Sequence, residues 1–148
     1  MSLYERIEAD LKASLKKQDS VRLSTLRMLL AAIRNLEIEK KVARLEDPDI
    51  IQTIQKQIKQ RRDSIEQFGK GGRQDLVDKE AAELAILESY MPEQLKSDEL
   101  VKLVEGAIAQ TGAILKKDAG GVMKLVMEKV KGRADGKVVN QLVMERLR

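Results

Sequence analysis

Apolar residues recur every three or four positions along nearly the whole chain, and no long segment alternates apolar and polar residues as a half-buried strand would. Four long periodic segments precede Pro92, and three shorter ones follow it. The pattern predicts an all-α fold, with helices over about residues 3–18, 20–45, 47–68, 73–90, 98–111, 118–131 and 136–147.

Residues that favour helix ends stand at most of these boundaries. Ser2 and Glu5 have the spacing of a capping box at the start of the first helix, whose apolar stripe is predicted to be Leu3, Ile7, Leu11 and Leu15. Aspartate and serine accept hydrogen bonds from the free N–H groups of a first turn. The same reasoning predicts four further N-caps, at Asp47, Ser97, Asp118 and Asp135. Glycine tolerates the left-handed backbone that ends many helices, and this predicts helix stops at Gly112 and Gly132.

The stretch YMPEQLKSD interrupts the pattern and reads as a linker, because proline disfavours helical geometry in the residue before it. Helices as short as those after the linker are marginal alone in water and need partners. The sequence therefore predicts two unlike helical bundles, a four-helix bundle over residues 1–93 and a three-helix bundle over residues 96–148.

Composition excludes several kinds of site. The 148 residues contain no cysteine and no histidine, which removes disulfides, thiolate nucleophiles, zinc sites of cysteine and histidine, and histidine-based triads. Aromatic residues are 2% of the chain, so the core is expected to be aliphatic. No apolar run approaches the roughly 20 residues of a membrane span, and the first residues lack a signal-peptide pattern. We therefore expect a cytoplasmic protein with no membrane partner, no cofactor and no metal.

Charge is divided unevenly along the chain. Residues 1–95 carry 17 basic and 17 acidic side chains, whereas residues 96–148 carry 11 basic and 7 acidic ones, so the net charge of +4 lies in the second part. Basic residues that neutralise phosphates release counterions and give affinity without sequence preference. The candidate phosphate-binding residues are Lys116, Lys117, Lys124, Lys131, Arg133 and Lys137, with a second group at Arg61, Arg62 and Arg73. The alternative is that these side chains are solvated helix faces.

Other motifs carry little chemistry. The acidic residues of the fourth helix fit its exposed face better than a pair of catalytic carboxylates, so no catalytic residue is predicted. GKGGR at 69–73 lacks the phosphate-loop pattern and is predicted to be a flexible turn. The corner KGRADG could present a helix N-terminus to an anion, or could be an ordinary corner between helices.

Three blocks of the sequence, in order, resemble the YqeY family. They are LSTLRMLLAAIRNLEIEK, then KQRRDSIEQFGKGGRQDLVDKEAAELAILESYMPEQL, then GGVMKLVMEKVKGRADGKVVNQLV. The linker motif of the family usually has leucine before the proline, and this chain has Met91 there. The resemblance extends over nearly the whole chain.

The resemblance implies two unlike helical bundles, of four and three helices. The family is similar to the tail of GatB, a component of the amidotransferase that converts Glu-tRNA(Gln) or Asp-tRNA(Asn), where the tail binds tRNA and other parts carry out the reaction. This implies tRNA contacts at Lys124, Lys131, Arg133 and Lys137, and possible association with aminoacyl-tRNA metabolism. A glutamine-dependent carbon–nitrogen ligase activity would be inherited only by similarity to the larger enzyme.

Three hypotheses follow. The first is a non-catalytic tRNA-binding module that contacts RNA backbone and shape, because three scattered aromatic residues cannot form a base-stacking platform. The second is an adaptor whose nearly neutral first bundle docks a protein partner. The third is an accessory enzyme of the amidotransferase type, which would need a buried carboxylate or lysine in a pocket.

Overall fold

Seven α-helices, one short 3-10 helix and no strand make up the protein, so the prediction of an all-α fold is confirmed. The computed structural model describes residues 1–148. The helices are α1 (Leu3–Lys16), α2 (Ser20–Lys40), α3 (Asp47–Lys70), α4 (Gln74–Glu88), α5 (Ser97–Thr111), α6 (Ala119–Val130) and α7 (Gly136–Arg146), with the 3-10 helix at Lys116–Asp118. Two compact units divide the chain, a first unit over Met1–Met91 and a second unit over Pro92–Arg148.

The first unit contains α1 to α4 around an aliphatic core. Helices α3 and α4 form its most extensive contact, and α2 packs against each of the other three helices. The buried residues of this core are Tyr4, Ile7, Leu26, Leu29, Leu30, Ile33, Leu45, Ile50, Ile54, Ile58, Ile86, Leu87 and Tyr90. An apolar stripe on each helix is what drives this packing.

The inward stripe of α1 differs from the predicted one. Leu15 was expected to face inward, but 58% of its surface is exposed. Ser14 is buried in its place, and its hydroxyl donates to the Asp10 carbonyl at 2.7 Å. The stripe steps by three residues from Leu11 to Ser14, and a hydroxyl that bonds its own helix is tolerated inside.

Helix α2 ends at Lys40, five residues before the predicted end at Leu45. Lys41 adopts a left-handed backbone with φ 58°, and the Leu45 N–H donates to the buried Glu37 carboxylate at 2.9 Å. The Glu37 side chain therefore takes the place of the backbone carbonyl that would accept from the Leu45 N–H in a continued helix. The chain turns here and leads into α3.

The predicted caps are only partly correct. Ser2 caps α1 by accepting from the Glu5 N–H at 3.2 Å. Asp47 and Ser97 are the first residues of their helices rather than N-caps, so those two assignments were wrong by one position. The Asp47 carboxylate instead accepts from the Leu3 N–H at 3.0 Å, which joins the starts of α1 and α3.

The second unit packs α5, α6 and α7 around a core rich in valine. Helix α6 contacts α5, α7 and the 3-10 helix. The buried residues of this core are Leu100, Val104, Ala107, Val122, Val126, Val130, Ala134, Val139, Val143 and Leu147. Val138 is apolar but 46% exposed, because the buried stripe of α7 runs through Val139 and Val143. The chain end pairs with the loop before the 3-10 helix, since the Arg148 N–H donates to the Ile114 carbonyl at 2.8 Å.

Candidate phosphate-binding surface

Five exposed lysines of the second unit surround helix α6 in sequence. Lys116 and Lys117 lie in the 3-10 helix before it, and Lys124 lies on it. Lys131 follows its last residue, and Lys137 is the second residue of α7. None of the five forms an ion pair with a carboxylate. These lysines are Lys116, Lys117, Lys124, Lys131 and Lys137. Their ammonium groups are available to an external anion.

Lys124 lies on an exposed side of α6. Lys131 follows the helix as its left-handed C-cap, seven residues and about 10 Å farther along the axis. Gly120, one turn before Lys124, shares that side, and a Cβ added at Gly120 or Gly121 would meet no atom within 4 Å. The face is therefore open at its amino-terminal end.

Helix α6 continues directly from the 3-10 helix, and the N–H of its first residue, Ala119, donates to the Lys116 carbonyl. Asp118 holds the N-cap position, as predicted, but its side chain makes no capping hydrogen bond. Free N–H groups at a helix start attract anions, and the positive end of the helix dipole adds to that attraction. Lys116 and Lys117 are the two residues before Asp118. The two lysines thus precede the positive end of the α6 dipole along the chain.

The corner between α6 and α7 has the predicted glycine geometry with one addition. Gly132 has a positive φ of 82°, as expected, but Lys131 before it is also left-handed, with φ 47°. Lys131 is the C-cap of α6. Asp135 caps α7 by accepting from the Lys137 N–H at 3.0 Å, so that cap is confirmed. The corner therefore combines two left-handed residues with a side-chain cap.

Arg133 has a structural role in the same corner. Its Nε donates to the Glu93 carbonyl at 2.9 Å, and its own carbonyl accepts from the Leu95 N–H at 2.8 Å. Both bonds join the corner to the segment before α5. Arg133 is also half-buried, so only part of its guanidinium faces water. A variant at this position would disturb packing as well as charge.

The three candidates in the first unit are placed differently, and Arg61 requires a correction. Arg61 is buried, with its Nε 3.1 Å from Glu83 Oε2 and 3.8 Å from Glu80 Oε2. It was predicted as a phosphate ligand, but it interrupts the apolar stripe of α3 because α4 supplies carboxylates opposite it. Arg61 is therefore a packing residue and is withdrawn as a candidate.

Arg62 and Arg73 are exposed, but nearby carboxylates engage both of them. Arg62 pairs with Glu88 at 3.1 Å. Arg73 donates two hydrogen bonds to Asp75, at 3.1 and 3.0 Å, and this contact lowers the pKa of the Asp75 carboxyl. A phosphate would have to compete with those carboxylates at either arginine.

Sequence reasoning missed a buried polar contact at the end of α4. The Tyr90 hydroxyl donates to the Asp10 carboxylate, and the Arg6 guanidinium stacks 4.7 Å from the centre of the Tyr90 ring. Burial and then the hydrogen bond to Asp10 raise the pKa of the Tyr90 hydroxyl. The linker motif was recognised, but nothing in the pattern pairs its tyrosine with a residue 80 positions earlier.

Carboxylates do not assemble into an evident reactive site. No group of three or more acidic residues is arranged to hold a metal ion. An open depression of about 560 Å³ lies between the starts of α1 and α3, and its lining includes Ser2, Glu5, Arg44 and Glu46. The buried carboxylate of Glu83 is neutralised by Arg61 and does not line that depression.

Comparison with known proteins places these features in a family. The sequence model of Yqey-like protein matches residues 4–147. A protein from Pyrenophora tritici-repentis is 36% identical over 146 residues, which cover 95% of this chain and 78% of that protein. One from Saccharomyces cerevisiae strain YJM789 is 30% identical over 88% of this chain and 69% of its own length. One from Kluyveromyces lactis is 42% identical over 84 residues, or 57% of this chain, and only 45% of its length is matched.

All three relatives are named "Altered inheritance of mitochondria protein 41, mitochondrial". Their names contradict the expectation of a cytoplasmic protein, which rested on the lack of a signal-peptide pattern in the first residues. As to membranes, each helix is too short or too polar to cross one.

Proposed function

Since the chain belongs to the family of Yqey-like proteins, we propose that it is a non-catalytic module that binds tRNA through the lysines of its second unit. The observation that carries this proposal is the set of five exposed lysines around α6 that have no carboxylate partner and, unlike Lys129, no hydrogen bond from the ammonium group to a side chain. Within the set, Lys124 lies on α6 and Lys131 follows its last residue. A row of unpaired ammonium groups suits the phosphates of a nucleic-acid backbone.

The recognition would be by backbone and shape. Tyr4, Phe68 and Tyr90, the three aromatic residues, all belong to the first unit, and both tyrosines are buried. Base stacking on an aromatic platform is thus not available to the lysine surface. We further propose that α1 to α4 form a four-helix bundle and α5 to α7 a three-helix bundle, as the family resemblance implies.

The test is a titration of fluorescently labelled tRNA with the whole chain at two or more salt concentrations. We expect the logarithm of the binding constant to fall linearly with the logarithm of salt. The double variant Lys124→Gln/Lys131→Gln should bind more weakly and should lower the magnitude of the slope by roughly two, one for each phosphate that is no longer neutralised. Because the relatives are named as mitochondrial, organellar tRNA belongs beside cytosolic tRNA in the titration.

A matched control removes the same charge elsewhere in the second unit. Lys96 precedes α5 and Lys102 lies on it, and both are exposed and without an ion pair. Lys96→Gln/Lys102→Gln should leave affinity and slope nearly unchanged. Equal losses in the two double variants would mean that net charge alone drives binding, and an absence of binding at low salt would reject the proposal.

We propose that the carbon–nitrogen ligase reaction does not belong to this chain. Glu83 is a buried carboxylate, but it is paired with Arg61 rather than presented in a pocket. Incubating the protein with glutamine and misacylated tRNA tests the point directly. Release of glutamate, or conversion of the aminoacyl group, would contradict the assignment of a binding module.

A further inference from the structure

Helix α2 has a second apolar stripe on the side opposite the core. Its core-facing residues include Leu26, Leu29 and Ile33, all fully buried. The opposite side carries a row of exposed residues with alternating spacings of three and four, which are Val21, Ser24, Met28, Ala31, Asn35 and Ile38. This is the spacing of the a and d positions of a coiled-coil heptad.

The exposure of this row is large for apolar side chains. Ile38 is 76% exposed and Val21 41%, whereas Met28 is 48% exposed and its Sδ accepts a hydrogen bond from the Arg61 guanidinium at 3.8 Å. The row extends about 25 Å along the helix, from Val21 to Ile38. Ser24 and Ala31 alternate with the larger residues, so another helix could approach closely. We call these six residues the outer stripe of α2.

We propose that the outer stripe pairs in parallel with the outer stripe of a second copy of this chain, through a two-fold axis along α2. Charges beside the stripe favour this occupant. Arg34 lies on one flank and Glu39, five residues later, lies on the other; both are exposed and neither has an ion-pair partner within the chain. In a parallel pair, a residue on the first flank faces the residue five positions later on the partner helix.

The Arg34–Glu39 contact would occur twice in the dimer because of its two-fold symmetry. Arg34 of each copy would meet Glu39 of the other, because a two-fold interface repeats every contact. An antiparallel pair would bring the same flanks together and would set Arg27 and Arg34 against the same two arginines. Like charges across an interface disfavour that arrangement. The charge pattern therefore selects the parallel direction.

Asn35 gives the pairing its register. It occupies the last a position of the stripe, three residues before Ile38, and one buried asparagine in a parallel coiled coil specifies alignment at a cost in stability. Asparagine side chains of the two copies can hydrogen-bond to each other only when the copies are in register. The few large apolar residues in the stripe predict a weak dimer that dissociates on dilution.

Charge reversal tests the proposal in the whole chain. Sedimentation of the wild-type protein should give an average mass that rises with concentration toward twice that of the monomer. Arg34→Glu and Glu39→Arg should each raise the dimer dissociation constant by at least about tenfold, because like charges then face each other. The double reversal Arg34→Glu/Glu39→Arg should restore most of the affinity, and failure of this rescue would overturn the pairing.

Disulfide trapping tests the register independently. The chain has no cysteine, so Asn35→Cys introduces a single thiol. Facing a-position residues in a parallel pair lie within the Cα separation that a disulfide spans. Mild oxidation should link Asn35→Cys chains much faster than Leu15→Cys chains, where the thiol replaces another exposed apolar residue outside the stripe. Equal rates, or a monomer at every concentration, would reject self-pairing and leave the stripe to a different protein. The lysine surface is in the other unit, so either proposal can fail without the other.

Discussion

The buried ion pair between α3 and α4 offers a quantitative test of the first unit. Side chains of Arg61 and Glu83 are each 7% exposed, and their closest atoms are 3.1 Å apart. Glu80 is 3.8 Å from the same nitrogen and is 21% exposed. Removing one member of a buried pair leaves a charge without compensation, which costs about 3–5 kcal/mol.

The order of the costs follows from the geometry. Arg61→Met leaves two carboxylates facing an apolar side chain, so it should lower the free energy of unfolding by about 3–5 kcal/mol. Glu83→Gln should cost less, about 1–3 kcal/mol, because Glu80 remains beside Arg61 and partly compensates its charge.

The double variant Arg61→Met/Glu83→Leu should recover most of the stability lost in Arg61→Met, because only Glu80, which is 21% exposed, is then left without its partner. The cluster is imperfectly satisfied as it stands. Arg61 Nε is close enough to Glu83 for an ion pair but is not aligned for a hydrogen bond, and the buried Oε1 of Gln57 accepts none. Apolar replacements of similar volume remove the desolvation penalty as well as the attraction.

The assay is urea unfolding followed by tyrosine fluorescence. Tyr4 and Tyr90 are the only tyrosines, the chain has no tryptophan, and both residues are in the first unit. Their emission therefore reports unfolding of that unit, whereas circular dichroism reports both. The midpoint multiplied by the slope gives the free energy of each variant.

Arg62→Met is the matched control. It makes the same substitution one position along α3, at a residue whose pair with Glu88 is about half exposed. Exposed pairs contribute about 0–1 kcal/mol, so the control should change little. An Arg61→Met cost no larger than that of Arg62→Met, or a double variant as unstable as Arg61→Met, would refute this account of the pair.

Three further predictions concern a buried tyrosine, a left-handed backbone residue and a helix cap. Tyr90 has a pKa raised in the folded state, so its contribution to stability is present below about pH 10 and is lost as pH rises further. Tyr90→Phe should reduce the free energy of unfolding by about 1–3 kcal/mol at neutral pH. In urea titrations at several pH values, the variant should also lose less of that free energy than the wild type above about pH 10. Lys41→Gly should stabilise the first unit by up to about 1 kcal/mol because glycine relieves the left-handed backbone, whereas Lys40→Gly, inside the helix, should destabilise it; the reverse order would contradict the argument. Asp135→Ala should cost the second unit about 1 kcal/mol by removing the cap of α7, and Asp135→Asn, which keeps an acceptor, should restore most of it in thermal melts followed by circular dichroism.

Helix number and order could be predicted because each helix carries its own apolar repeat. Errors arose where a distant residue decided the outcome. Helix α2 was predicted to continue to Leu45, but Glu37 captures the Leu45 N–H. Asp47 was expected to cap its own helix, but it bonds the start of α1 instead. Local propensity does not contain such contacts.

The candidate surface could be predicted only as a set of charges. Counting charges located the excess in the second part of the chain. Counting could not distinguish Arg61 from Arg62, since adjacent basic residues look alike until the facing helix is known. The outer stripe of α2 was missed because the core-facing stripe already accounted for the helical period.

The two hydrogen bonds of Arg133 affect where the chain can be cut for fragment studies. A fragment that begins at residue 96, the predicted start of the second bundle, would omit Glu93 and Leu95. The corner after α6 would then be without both of its partners, one at the guanidinium and one at the carbonyl. Any expressed fragment of this half should therefore start at or before Pro92, so that loss of RNA binding is not confused with a loosened corner.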